Sequence, residues 1–340
     1  MCTNITIGMK IKHFYILNIF LFASILVSCE KDEIIEIDED ITFGIRHDRP
    51  LSEYEDIAAS ANADLPDFSV VVSFSYSLDG SSNREFVATG TLVDDQWILT
   101  AGHNFYIAEE QDNPAPVSGI QVKVGNDPNN PDATYTVAEI IFHPSWLAGD
   151  QDYNDANDLC LVKLSNPITN LTPAVIHSTD DEEFGSIVWH CGFGDYSRLE
   201  GQDPDLDSKK HAIQNTLDRV QGGFETSAGG ENYTGGLLAF DFDNPSGTIN
   251  SLGDDFISED ESYLGTGSSM AEALDFEGTT VEGDSGGPLF INNNGNWELA
   301  GVLAGGAFDP IDNHSDGSYG DISIYIRTST SYSWIQSVIQ

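Results

Sequence analysis

The chain has 340 residues, enough to bury a large core and to hold between one and three domains. It carries 56 acidic residues against 13 basic ones, a formal net charge of −43, so it lacks the Lys and Arg clusters that phosphate backbones require, and nucleic acid is excluded as a partner. Self-repulsion on this scale favours solubility and is screened by salt, which points to a saline medium or to bound cations.

Residues 1–28 read as a secretory signal peptide: Lys10 and Lys12 precede an apolar run from Phe14 to Val27, too short for a comfortable membrane span. Leu26-Val27-Ser28-Cys29 resembles a bacterial lipobox, which implies cleavage before Cys29 and lipid attachment to it. The expected partner at this end is therefore a membrane, reached through the lipid on Cys29. Residues 29–67 form an acidic tether and N-terminal segment, whose Glu30 to Asp40 run repels itself and stays extended. An acidic stretch after a lipidated Cys resembles the export signal of surface lipoproteins. The implied location is an outer-membrane lipoprotein facing outward, or an extracellular protein if the tether is cut. Ser52 to Ala61 has a helical pattern, with Ser52 as N-cap and Glu53 and Glu55 in the first turn.

From Phe68 the texture is β, and residues 68–340 read as one domain of two barrels, about 68–180 and 181–340. Val70 to Tyr76, Glu85 to Val93, Gln96 to Thr100, Ile120 to Val124, Thr134 to Phe142 and Leu159 to Leu164 are short strands punctuated by Gly, Asn, Asp and Pro. Ile187 to Cys191, Ala212 to Val220, Gly236 to Phe242, Leu289 to Ile291, Trp297 to Leu303 and Ser323 to Arg327 supply a second set. Closure of each set would remove exposed sheet edges. Ser333 to Ile339 places Trp334, Ile335, Val338 and Ile339 on one helical face. Residues 195–275, rich in Asp, Gly and Ser, suggest long surface loops. Of four cysteines, Cys160 and Cys191 lie in apolar stretches and read as buried thiols.

Chemistry concentrates in Gly283-Asp284-Ser285-Gly286-Gly287-Pro288-Leu289. Its glycines permit a sharp turn and close backbone approach, which suits a nucleophilic Ser285 with the Gly283 and Ser285 N–H groups aimed at a developing oxyanion. Two upstream segments accompany it, Leu99-Thr100-Ala101-Gly102-His103 and Asn157-Asp158-Leu159-Cys160, in the chain order His103, Asp158, Ser285. The remaining histidines have no catalytic or metal spacing, and no HExxH, paired CxxC or phosphate loop occurs.

This constellation resembles the trypsin-like (chymotrypsin-family) serine proteases. Gly90-Thr91-Leu92-Val93, Gln96-Trp97-Ile98-Leu99, Ile140 to Trp146, Cys191-Gly192-Phe193-Gly194, Leu299 to Leu303 and Trp334-Ile335 are similar to further segments of that family. The resemblance implies an all-β fold of two antiparallel six-stranded barrels with a C-terminal helix, acting on protein or peptide substrates without an organic cofactor. It implies Ser285 as nucleophile, His103 as general base and then acid, Asp158 as the orienting carboxylate, and Gly283 and Ser285 as the oxyanion hole. The family's flanking disulfides are missing: no Cys neighbours His103, and Val281 precedes the serine motif. Asp284 corresponds to an aspartate that pairs with a freed N-terminal amine. Ile45 is the nearest candidate for such a terminus, with Arg46, His47 or another cation as alternatives in an intact chain.

The specificity pocket falls at Thr279 and Thr280, with Ala304, Gly305 and Gly306 as its wall and Ser323 opposite. No carboxylate is expected at its base. A serine that commonly supports the triad aspartate is replaced by Ala304. Metal is not required, although the acidic loops at 126–132, 150–158 and 309–316 offer oxygen ligands to Ca2+. The rival reading is a non-catalytic binding or adhesion protein on the same scaffold.

Overall fold

In a computed structural model, the residues described are 43–81, 83–149, 151, 156–197, 205–253, 264–265, 267, 269–308 and 316–340. The signal peptide, the lipobox with Cys29 and the acidic run lie outside them.

Six short strands rich in branched residues form the first sheet: β1 (Val71–Tyr76), β2 (Phe86–Asp94), β3 (Trp97–Thr100), β4 (Gln121–Val124), β5 (Ala133–Phe142) and β6 (Cys160–Leu164). They close into an antiparallel barrel in the order β1-β2-β3-β6-β5-β4. Strand β1 is buried along its whole length. Its inward face fills the barrel, and just before it Phe68 packs edge-on against Trp189 and Phe290 of the second sheet. One apolar core therefore runs continuously from the barrel into the second sheet.

The second sheet departs from the six strands expected. It contains seven, β7 (Ile187–Gly192), β8 (His211–Thr216), β9 (Arg219–Ala228), β10 (Glu231–Asp241), β11 (Pro288–Asn293), β12 (Asn296–Phe308) and β13 (Asp321–Arg327), in the order β8-β7-β11-β12-β13-β10-β9. The expected strand Ala212 to Val220 breaks at Leu217-Asp218, and its second part continues into a long β9–β10 hairpin turned by Gly229 and Gly230, both at positive φ. Part of the segment expected to form loops is thus strand. Polar residues on the exposed part of β9 lower its mean hydropathy, and a bulge at Gly223 interrupts its two-residue period. Strands β8 and β10 meet through Asn215, whose Nδ2 donates to Asp241 O at 2.8 Å, and through the Asp218 N–H, which reaches Ala239 O at 3.0 Å.

Helix α1 (Leu51–Ala58) is shorter than expected and has Pro50, not Ser52, at its N-cap, with no side-chain cap. The proline ring already fixes φ there, at −75°, so the chain enters the helix two residues early. Tyr54 is fully buried, and its hydroxyl donates to Glu277 O at 3.0 Å, docking α1 on the second sheet. After the short helix α2 (Pro144–Ala148), the C-terminal helix α3 (Thr328–Ile339) begins five residues before the expected Ser333. Thr328, Ser331, Trp334 and Ile335 form its buried face, and Thr328 Oγ1 donates to Leu299 O at 2.8 Å, so small polar residues extend the stripe that apolar periodicity alone would have ended. Cys160 and Cys191 are buried free thiols.

Candidate active site

His103 follows β3 through the turn Ala101-Gly102. A side chain at Gly102 would come within 2.8 Å of Trp146 and 3.1 Å of Asp158 Oδ1, so only glycine lets the turn close on the carboxylate. Asp158 precedes β6 and is almost wholly buried. It holds the histidine at two points: His103 N donates to Oδ1 at 2.8 Å, and His103 Nδ1 lies 2.5 Å from Oδ2. This fixes the ring with Nδ1 protonated and leaves Nε2 as the basic nitrogen. Burial alone would lower the His103 pKa, but the charge of Asp158 and its hydrogen bond more than offset that, and the net shift is upward. Since both Asp158 oxygens are engaged by His103, the serine replaced by Ala304 is not needed to satisfy them. Ala304 is a buried residue at the β-bulge between Leu303 and Gly305.

Ser285 sits on the turn entering β11, and that turn is clamped to the barrel carrying His103. The Ser285 carbonyl accepts from Thr89 N at 2.9 Å and from Asn104 Nδ2 at 3.1 Å. Thr89 Oγ1 donates to Gly283 O at 2.9 Å and accepts from Phe193 N at 3.1 Å, while Asn104 Nδ2 also reaches Thr100 Oγ1 at 3.0 Å. Asn104 and Thr89 were not recognised as site residues in the sequence. Their only signal there was Asn104 standing beside His103 with no flanking cysteine. No hydrogen bond joins Ser285 Oγ to His103 among the described residues; contacts of this kind tighten once substrate is seated. Gly283 has φ +104°, and neither its N–H nor that of Ser285 has a hydrogen-bond acceptor among the described residues. The two groups remain available to a ligand oxygen.

Asp284 is completely buried. Its Oδ1 accepts from Gly194 N at 2.8 Å and lies 3.3 Å from His211 Nε2 and 3.5 Å from His190 Nε2. Its Oδ2 accepts from Tyr196 OH at 3.0 Å and Val281 N at 3.1 Å. Burial opposes ionisation here, but His211 and His190 hold the Asp284 carboxyl far below the usual carboxylate range. Ile45 lies in unbroken chain and forms an antiparallel bridge with Gly278. The other cations named for Asp284 turn elsewhere: Arg46 pairs with Asp48 at 2.7 Å, and His47 Nδ1 meets Tyr319 OH at 2.8 Å. His190 and His211, which have no catalytic or metal spacing in the sequence, are the ones the fold brings to Asp284.

A cleft of about 260 Å³ opens beside Ser285, lined by Thr279, Thr280, Glu282, Gly305, Gly306 and the segment entering β13. Ser323 supports its floor, with its hydroxyl 3.0 Å from both Thr279 Oγ1 and Thr280 Oγ1. Ala304 is not among the lining residues. The sequence reading concerns the base of the pocket; among the residues lining the cleft are Asp316 and Asp321, and Asp321 also accepts the Gly317 N–H at 2.6 Å. Spacing back from Ser285 could not reveal them, because they arrive from a different strand. Among the described residues no group of three or more His, Cys, Asp or Glu side chains is arranged to hold a metal ion. The acidic turn at 126–132 is stitched internally, with Asn129 N donating to Asp127 Oδ1 at 2.9 Å; most of the other two acidic loops lies outside the described residues.

Comparison with known proteins agrees with this geometry. Residues 62–229 match the Trypsin family. The chain is 31% identical over 102 residues to complement C1s-1 subcomponent of Mus musculus, covering 28% of this chain and 14% of that protein. It is 28% identical over 255 residues to transmembrane protease serine 11G of Rattus norvegicus, covering 73% of this chain and 48% of that protein. The chain thus spans about half, or less, of the length of these curated relatives. With a closed first barrel and an antiparallel second sheet meeting at His103 and Ser285, the chain belongs to the trypsin-like, chymotrypsin-type serine protease family.

Proposed function

We propose that the protein is an exported, lipid-anchored serine endopeptidase acting through His103, Asp158 and Ser285. The observation that carries this reading is the two-point grip of Asp158 on His103 beside a Ser285 turn clamped to the same barrel. A serine hydroxyl is a weak nucleophile at neutral pH. In the proposed reaction His103 Nε2 takes the Ser285 Oγ proton as Oγ attacks the scissile carbonyl, and the buried Asp158 stabilises the imidazolium. The Gly283 and Ser285 N–H groups receive the oxyanion. His103 then protonates the leaving amine, and water hydrolyses the acyl-enzyme by the same steps. Asp316 and Asp321 in the cleft favour a positively charged side chain on the residue before the scissile bond.

The anchor rests on the sequence around Cys29 and on the acidic tether that follows. Incorporation of a labelled fatty acid that is lost in Cys29→Ala tests it, and equal incorporation in the variant would remove it. Fluorophosphonate labelling tests the activity. The wild type is expected to label and Ser285→Ala not to. Absence of labelling in the wild type, both intact and cut before Ile45, would refute the protease reading and favour a binding protein.

A further inference from the structure

We propose that His190 and His211 are positioning residues that take the place of a free N-terminal ammonium, holding Asp284 and thereby setting the Gly283–Ser285 turn in the uncut chain. This rests on the serine protease reading above.

A fully buried carboxylate needs a counter-charge as well as hydrogen bonds. Among the described residues the cations facing Asp284 are two imidazoles, His190 on β7 and His211 at the start of β8. His211 faces an acceptor at each ring nitrogen. Its Nδ1 lies 3.3 Å from Lys209 O and its Nε2 3.3 Å from Asp284 Oδ1. The Nε2 contact is within ion-pair reach of the carboxylate without hydrogen-bond geometry, and Nε2 has no other polar partner among the described residues. Neither nitrogen of His190 has another polar partner among the described residues, which leaves Asp284 as its charged neighbour.

The surrounding backbone is shaped to this cluster. A side-chain carbon at Gly192 would come within 2.1 Å of Asp284 Oδ1, one at Gly194 within 2.6 Å of Oδ2, and one at Gly287 within 2.6 Å of His190 Cε1. On the other side, the Tyr196 ring packs against His211 at a tilt of 57°, with centroids 3.8 Å apart. Gly44 packs against that same tyrosine, so closely that a side chain there would come within 2.6 Å of it. Gly44 is pinned from both ends, its N–H to Gly317 O at 2.6 Å and its carbonyl to Thr279 N at 2.9 Å. The segment that would supply a new terminus is thus already placed as uncut chain, and the Tyr196 ring stands between it and the histidine pair.

The other titratable groups around the cluster stay neutral or point away. Tyr325 on β13 packs at a tilt beside His190, and burial raises its hydroxyl pKa, as it does that of Tyr196. Burial pushes the Cys191 thiol up to about 12. Lys210 lies over the Phe193 ring and donates to Phe68 O at 2.9 Å, and Glu282 is exposed. The two imidazoles are therefore the groups paired with Asp284 within the cluster.

The test uses the full chain with Ile45 in unbroken peptide linkage, compared with His190→Gln, His211→Gln, the double variant and Asp284→Asn. Wild type is expected to label with fluorophosphonate uncut. The double variant should lose roughly 10²- to 10³-fold in kcat, the range for losing an oxyanion donor, with KM little changed. Side-chain nitrogen NMR of the folded wild type should show His211 doubly protonated at neutral pH, and Asp284→Asn should lose that signature; this reading holds even if a variant folds poorly. Activity that emerges only after cleavage before Ile45, unchanged kcat in the double variant, or a neutral His211 would each overturn the proposal while leaving the protease reading intact. A wild type inactive both cut and uncut would remove the protease reading, and the positioning role with it.

Discussion

Raising the pH from 6.5 to 8 should destabilise the folded protein, and replacing Glu277 by Gln should remove a defined part of that loss. Four carboxyl groups, Asp218, Asp241, Asp243 and Glu277, are each no more than 2% exposed around the end of β10. Burial pushes Glu277 up from 4.5 to about 8, with the neighbouring Asp241 adding to the shift, and pushes Asp243 up to about 10. An acid whose folded pKa is raised keeps its proton in the native state after the unfolded chain has lost it. Its stabilising contribution is therefore whole below the unfolded pKa and is lost as pH rises through the folded one. For Glu277 the full window is pH 4.5 to about 8, worth about 5 kcal/mol in total, and the stretch above pH 6.5 accounts for about 2 kcal/mol of it. That is a large part of a total stability of about 5–15 kcal/mol. His143, buried and lowered to about 4, acts in the opposite sense below pH 6.5, which is why the upper window is the informative one. Repulsion within a chain of net charge −43 has the same sign as the Glu277 effect, but 1 M salt shortens the Debye length to about 3 Å and leaves buried groups untouched. Urea unfolding of both proteins in 1 M NaCl at pH 6.5, 7, 7.5 and 8 separates the terms. The stability difference between wild type and Glu277→Gln should move by about 2 kcal/mol across the series, in favour of the variant. A difference that stays constant with pH would show that Glu277 is ionised in the native state and would refute the reasoning.

Gly286→Ala should abolish fluorophosphonate labelling and destabilise the fold by more than about 2 kcal/mol, because φ is +83° there and the new carbon would lie 2.0 Å from Thr100 Oγ1 and 2.5 Å from Thr89 O; labelling at the wild-type rate would show that the turn is not clamped. Glu182→Gln should cost about 3–5 kcal/mol in urea unfolding, since Arg327 Nε and Nη2 form a buried fork on Glu182, with the Nε contact at 2.7 Å and Ser329 Oγ adding a third bond at 3.0 Å; a loss below about 1 kcal/mol would mean that the guanidinium finds another partner. In a peptide library, Arg and Lys should be preferred before the cleaved bond, and Asp316→Asn with Asp321→Asn should lower kcat/KM for those peptides roughly 10- to 100-fold relative to Phe peptides. An unchanged ratio would place specificity elsewhere in the cleft.

The parts of the site legible in the sequence are those whose geometry is local. Gly102 lies next to His103 because the turn must close on Asp158, and Gly283 and Gly286 flank Ser285 because that turn needs positive φ and close approach. The six strands of the first barrel were legible for a similar reason, since each carries branched residues between turn formers. The seventh strand of the second sheet was not: β9 is exposed on one side, and its Gln, Gly, Glu and Ser content resembles that of a loop until Glu231–Asp241 pairs with it. Asp316 and Asp321 were missed because their place in the cleft follows from the pairing of β12 with β13, a register that no linear spacing reveals.

His190 and His211 show why a long-range cluster resists sequence reading even when its members are visible. His190 lies within a strand among apolar neighbours and His211 opens a strand after two lysines, and a lone histidine in such places is more often packing than chemistry. What joins them is the antiparallel pairing of β7 with β8, which sets Gly192 opposite His211 and His190 opposite Ile213, together with the pairing of β7 with β11, which sets His190 opposite Leu289, four residues after Ser285. The two histidines therefore converge on Asp284 through two ladders at once. The triad's own carboxylate needs no such convergence, because the peptide N–H of His103 and its ring nitrogen satisfy Asp158 through one residue. Two buried aspartates in the same site thus carry different demands. In the proposed reaction Asp158 pairs with a group that cycles its proton, whereas Asp284 needs a charge that persists through every turnover. Two imidazoles shielded from solvent, each within 3.5 Å of Asp284 Oδ1 and one of them packed against Tyr196, meet that second demand from within the chain.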